Sequence, residues 1–357
     1  MKRDAFDPTR GDPHAQAAML RGCTQLMAGG SKSFFAASRV LPARVRAPAT
    51  ALYAFCRVAD DAIDGSAEPA AALADLHARL DAVYAGQPHD ELADRALACV
   101  VARFALPRAL LDALLEGFAW DAAGRRYDTL DELHDYGARV AATVGAMMAV
   151  VMETRSPATL ARACELGLAM QLTNIARDVG EDARAGRLYL PRQWLREAGI
   201  DPEAWLAAPR FDAALARVVQ RLLDEAERLY RRAECGVAYL PRDCRPGIQA
   251  ARLVYAEIGH ALRSQGLDSV SHRAVVGTPR KLALMVRSAT AWLFAPGHPL
   301  DFAHDSAPHR AVQFLVDAAA AADGLPARTF YQRTVRVLEL FERVGQRQRS
   351  LAGSVPG

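Results

Sequence analysis

Residues 51–65 read "ALYAFCRVADDAIDG", in which Leu52, Tyr53, Phe55 and Val58 mark an apolar helix. Asp60, Asp61 and Asp64 then crowd two turns behind Arg57. Asp is a mediocre helix former, and like charges four residues apart repel by about 0.2–0.5 kcal/mol. A helix that carries such a group at the expense of its own stability points to a use for the carboxylates. A second stretch repeats the pattern. "MQLTNIARDVGEDARAGRLYLP" (170–191) places Arg177, Asp178, Glu181 and Asp182 after another apolar helix. Asp178 and Asp182 are four apart, as are Asp60 and Asp64, so each pair lies on one helical face. Asn174 shares that face one turn before Asp178.

Two such faces opposed across a helix bundle make a hard, oxygen-rich site. That suits Mg²⁺, which binds one or two carboxylates and completes its octahedron with water and substrate phosphates; Mn²⁺ is a substitute in the same ligand set. Zn²⁺ is disfavoured because no His or Cys joins either cluster. A di-iron centre requires Glu-x-x-His on facing helices, which is missing. A glycosidase carboxylate pair explains neither the spacing nor the arginines. Solvated helix ends would account for one cluster, but not for two that break the same local rule. Metal and arginine together fit the departure of diphosphate from an allylic carbon, whose developing negative charge they neutralise. The resulting carbocation needs an apolar cavity that excludes water.

The rest of the chain is compatible with this. Its 357 residues, 51% hydrophobic and 24% charged, are ordinary for a globular protein. The net charge of +3 is too small to argue for nucleic acid. Cys23, Cys56, Cys99, Cys164, Cys235 and Cys244 show no metal-ligand spacing and read as reduced thiols, consistent with a cytoplasmic location. No signal peptide is visible, and the apolar run 140–152 is too short to span a bilayer. Helical periodicity predicts helices over 69–86, 107–120, 130–152, 156–182, 211–240 and 244–264, with no convincing strand. The expected organisation is one all-α domain over 1–295, followed by a linker and helical tail over 296–357. Within the tail, residues 326–350 form an amphipathic pattern that either packs on the domain or lies on a membrane surface. Only Lys2, Lys32 and Lys281 are lysines, which singles out the two internal ones.

The segments "GSKSFFAASRVLP" (30–42), "YAFCRVADDAID" (53–64), "YGARVAATVG" (136–145), the 171–191 stretch and "RPGIQAARLVY" (245–255) together resemble the squalene/phytoene synthases, over about residues 20–290. The resemblance is strongest to the bacterial phytoene branch. It implies a single large helical bundle of the class I terpenoid synthase type with a central apolar channel. It implies metal ligands at Asp60, Asp61, Asp64, Asp121, Asn174, Asp178 and Asp182, with Arg57 and Tyr136 also in the catalytic set. Diphosphate would be held by Ser31, Lys32, Ser33, Tyr53, Arg57, Gln171, Arg177, Tyr255, Arg273 and Lys281. Phe34, Val140, Val144 and Gly145 would line the prenyl channel. Gly30 stands where some relatives carry His, and Ala142 where Gly is common.

The implied reaction joins two geranylgeranyl diphosphates head to head through prephytoene diphosphate, using Mg²⁺. No nicotinamide fingerprint is present, which favours phytoene over squalene, whose formation needs a hydride donor. Two alternatives stay open: a farnesyl-diphosphate enzyme making squalene, dehydrosqualene or presqualene diphosphate, and a non-catalytic assembly subunit of the same fold. Substrates and product being lipids, peripheral membrane contact is also expected.

Overall fold

The helix that carries the second acidic cluster is the one around which the others pack. In the computed structural model, which describes residues 13–30, 38–291 and 307–321, this helix runs Pro157–Arg184. In chain order the helices are α1 (Pro13–Gly30), α2 (Ala43–Asp64), α3 (Pro69–Tyr84), α4 (Leu92–Phe104), α5 (Arg108–Ala122), α6 (Leu130–Gly137), α7 (Thr143–Val151) and α8 (Pro157–Arg184). They continue with α9 (Arg192–Glu197), α10 (Pro202–Ala207), α11 (Ala213–Val237), α12 (Arg245–Ser264), α13 (Thr278–Ala291) and α14 (Gln313–Ala321). No strand occurs among the described residues. Nor is any helix there long and apolar enough to cross a membrane.

Local chemistry sets most boundaries. Proline opens α3, α8 and α10, where its missing N–H costs nothing. Thr129 and Glu132 form a capping box at the start of α6, and Asp212 caps α11 by accepting from Leu215 N–H at 2.8 Å. Gly86, at φ 76°, adopts the left-handed conformation that ends the α3 turn.

The helix expected over 130–152 is not uniform. Residues Ala138–Ala142 form a π-helical turn between α6 and α7. The extra residue in that turn changes the phase of the helix. Side chains reinforce its carbonyls: Thr143 Oγ1 donates to Arg139 O at 2.7 Å, and Arg139 donates to Asp135 O at 3.0 Å. The small residues of α8 allow this segment to approach closely. A Cβ on Gly167 would sit 2.4 Å from the Ala141 carbonyl oxygen, and one on Gly145 would sit 2.1 Å from that of Ala163. Helix α11 contributes a long apolar face, including Leu215, Leu222, Leu229 and Tyr230, packed along α8.

Residues 307–321 follow the expected end of the domain near 295 and pack into its core. Val312, Leu315 and Ala319 are fully buried. Arg155 reaches the Ala319 carbonyl at 2.7 Å and those of Phe104 and Ala105 at 2.8 and 2.9 Å, satisfying the ends of two helices. Arg232 donates to Ala307 O at 2.8 Å, and Glu165 accepts from His309 N–H at 3.1 Å. The amphipathic pattern over 326–350 lies outside the described residues.

Backbone contact at Gly167 leaves no room for a methyl group. Gly167→Ala is expected to destabilise the protein by about 1–3 kcal/mol despite the better helix propensity of Ala. Thermal denaturation checks this, and an unchanged midpoint would contradict the close approach.

Candidate active site

Helix α2 ends at Asp64 and thus delivers Asp60, Asp61 and Asp64 in its last two turns. Asp121 lies one residue before the end of α5. Asp178 and Asp182 occupy the last two turns of α8. Helix C-termini carry about half a negative charge, so acids there are disfavoured unless cations are near. On α8 the half-buried residues Gln171, Asn174, Arg177, Asp178 and Asp182 alternate with buried ones, giving a single polar stripe.

These three ends meet. Arg187, just beyond α8, donates to Asp64 Oδ1 at 2.9 Å, linking the two acidic clusters. Asp121 accepts from the Tyr136 hydroxyl at 2.8 Å and from the Tyr189 hydroxyl at 2.8 Å. The rings of Tyr136 and Tyr189 stack at 5.3 Å, with Tyr127 at 5.1 Å from Tyr136.

The carboxylates fall into two groups. Asp61 is paired with Arg57 at 2.6 Å. Asp178 is held by Arg177 and by Arg273, whose Nε lies 2.8 Å from Oδ1. Burial pushes the Asp178 carboxyl up, but these two guanidiniums together hold it below the usual range. Asp60 has only a longer contact with Arg57, at 3.7 Å, and Asp182 is not held by a guanidinium in this way. Burial, then the charge of Asp64, pushes Asp60 up to about 6. Burial, then the charge of Asp178, pushes Asp182 up to about 7. Asp121 is also raised, burial outweighing its two hydroxyl donors. Crowded, under-neutralised carboxylates with an amide at Asn174 form an all-oxygen donor set, which fits Mg²⁺ and not a soft metal.

An elongated cavity adjoins the polar stripe. Gln171, Asn174 and Tyr255 line it together with Val140, Val144 and Gly145. Gly145 also allows backbone contact with Ala163. Tyr53 lies within the electrostatic reach of Arg57 and Tyr255. Lys281 is half-buried on α13, in the helix after the loop that carries Arg273. Ser31, Lys32, Ser33 and Phe34 lie outside the described residues. Sequence reasoning did not single out Arg187 and Tyr189. Both stand in the "RAGRLYLP" connection, whose only local signal was a turn.

The squalene/phytoene synthase family pattern matches residues 27–281. The chain is 54% identical over 315 residues to a phytoene synthase of Rhodobacter capsulatus, covering 87% of this chain and 93% of that protein. It is 52% identical over 336 residues to a phytoene synthase of Cereibacter sphaeroides, covering 91% and 94%. Its fold is similar to the crystal structure of a dehydrosqualene synthase in complex with ligand, with TM-score 0.72 and 30% identity over 81% of this chain and 100% of that one. This chain belongs to the squalene/phytoene synthase family. Its fold is the all-α terpenoid synthase bundle that the family resemblance implies.

The raised carboxyls make a stability prediction. Asp60 and Asp182 bind protons more tightly folded than unfolded, where a carboxyl titrates near 3.9. Metal-free stability therefore falls as pH rises from about 4 to about 7. At pH 8 without divalent metal, Asp60→Asn or Asp182→Asn should raise Tm by about 2–4 °C. Calorimetry of the variants at pH 5 and pH 8 checks this. A fall in Tm at pH 8 would contradict the crowding.

Proposed function

We propose that this chain is a Mg²⁺-dependent phytoene synthase that condenses two geranylgeranyl diphosphates head to head, through prephytoene diphosphate, in carotenoid biosynthesis. The observation that carries the reading is the convergence of three acidic helix ends beside one apolar channel. Six carboxylates (Asp60, Asp61, Asp64, Asp121, Asp178 and Asp182) face four guanidiniums (Arg57, Arg177, Arg187 and Arg273), leaving the site formally negative. A diphosphate enters such a site only with divalent cations. Asp60, Asp64, Asp178 and Asp182 would hold Mg²⁺, with Asp61, Asp121 and Asn174 in support. Bound Mg²⁺ supplies charge neutralisation for the departing diphosphate.

The chain's own groups do the rest. Arg57, Arg177 and Arg273, now paired with carboxylates, are placed to share their N–H donors with diphosphate oxygens. Tyr136 and Tyr189 keep Asp121 oriented, and Tyr255 lines the cavity. Val140, Val144, Met148, Leu166 and Met170 make most of the cavity wall apolar, which would keep water from a carbocation.

Geranylgeranyl diphosphate is the proposed substrate, and the cavity that would take its chain is lined along α8 from Asn174 to Thr159. The relatives at 52–54% identity, which are named phytoene synthases, support the same choice. The farnesyl alternative predicts a shorter usable channel. The assembly-subunit alternative predicts a damaged acidic motif, and both are whole.

The deciding experiment supplies purified protein with Mg²⁺ and either diphosphate, without nicotinamide, and identifies the hydrocarbon. A C40 product from geranylgeranyl diphosphate is expected. Turnover of farnesyl but not geranylgeranyl diphosphate would overturn the assignment. Asp178→Ala should lower turnover by at least ~10²-fold with the helical circular dichroism retained, comparable to losing one electrostatic stabiliser.

Peripheral membrane contact is part of the proposal. Leu282 and Val286, four apart on α13, are 61% and 57% exposed, and Val275 nearby is 70% exposed. A basic helix with such a face suits a lipid surface. Leu282→Glu with Val286→Glu should reduce co-sedimentation with anionic vesicles, and unchanged sedimentation would remove α13 from that role.

A further inference from the structure

Away from the carboxylates, at the junction of α6, α11 and the returning segment 307–312, three metal-ligating side chains converge. His134, Glu225 and His309 each offer a ligand atom, and these atoms all lie within 4.8 Å of one another. His134 is 2% exposed, and among the described residues its Nδ1 makes no hydrogen bond. Its Nε2 is paired with Glu225 Oε1 at 3.2 Å. A buried imidazole in that condition is unusual, since buried polar groups are nearly always satisfied. The His309 ring meets the His134 ring edge-on at 4.5 Å. Its Nδ1 accepts a long contact from Ala311 N–H at 3.3 Å, weak enough for a cation to replace.

We propose that His134, Glu225 and His309 form a second cation site, selective for a first-row transition ion of the Zn²⁺ type, that fastens segment 307–312 to the bundle. The ligand set decides the ion. Two imidazoles and one carboxylate are a known Zn²⁺ combination, with a water completing the tetrahedron, and Mg²⁺ avoids such nitrogen-rich sites. Tetrahedral bonds of ~2.0–2.1 Å put ligand atoms about 3.4 Å apart, so the cluster must tighten by about 1.4 Å at its widest.

The charged surroundings set a second requirement. Arg228 donates to both oxygens of Glu225, at 2.9 and 2.7 Å. A carboxylate has about four lone-pair sites, so two remain for a metal. Arg162 and Arg232 stand nearby, both bonded to the fully buried Glu165. Three guanidiniums against two carboxylates repel a weakly held cation. Only an ion bound through strong imidazole coordination overcomes this, which again excludes Mg²⁺. The segment so fastened carries the backbone that Arg162, Arg232 and Glu165 hold at Ala307 and His309.

The test uses the full chain stripped of metal, with excess Mg²⁺ present to occupy the carboxylate site. Co²⁺ is then titrated in, and the visible d–d band of four-coordinate Co²⁺ is recorded. The expected result is a band that saturates at one Co²⁺ per chain and is displaced by one equivalent of Zn²⁺. His309→Ala and Glu225→Gln, shown to be folded by circular dichroism, should weaken binding at least tenfold. Zn²⁺ should raise Tm in the wild type and not in His309→Ala, a variant on a half-buried side chain that does not depend on refilling the core. No band in the folded wild type, or the same band and affinity in either variant, would overturn the site.

Discussion

Three helices of this protein end in carboxylates at one place, and the electrostatic cost of that convergence governs the rest of the site. Each helix end brings its own partial negative charge to a position that already holds aspartates. The protein offsets this only in part. Arg57, Arg177, Arg187 and Arg273 pair closely with Asp61, Asp178 and Asp64, while Asp60, reached by Arg57 only at 3.7 Å, and Asp182 stay crowded and proton-loving. The folded chain thus holds an unfavourable charge arrangement, which the cations and polyanionic substrate of the proposed function would relieve together. Stability is spent where binding needs it, as expected for a site that violates local rules.

Next to this charged end lies a mainly apolar cavity, with Thr159 and Arg162 also on its wall. Helix α8 joins the two, carrying Asn174 and the aspartates at one end and Thr159 at the other. Gly167 of α8 and Gly145 of α7 allow the π-turn and α7 to come within backbone contact of α8. A regular helix over 130–152 would turn Val140 and Val144 to another phase. The π-turn therefore acts on the site through geometry and contributes no reacting group.

Much of this was legible in the sequence because it is local. Apolar periodicity identified α3, α5, α8, α11 and α12, and proline or glycine marked several of their ends. The i, i+4 spacing placed Asp60 with Asp64 and Asp178 with Asp182, since helical phase alone decides which side chains share a face. Tyr189 and Arg187 were not legible. They stand in a short connection without periodicity, and their importance comes from the partners they reach on α2 and α5. The π-turn was hidden for a related reason, because an added residue leaves the apolar pattern of the segment intact.

The sequence by itself determined the helical class and the two acidic faces with their arginines. Those properties depend on residue type and on spacing within one helix. Tertiary structure alone decided that Asp121, Tyr136 and Tyr189 meet, that Arg187 bridges the two clusters, and that 307–321 returns to the core beside α8. Contacts between distant segments are set by the packing of whole helices, and no local pattern encodes the position of a neighbour.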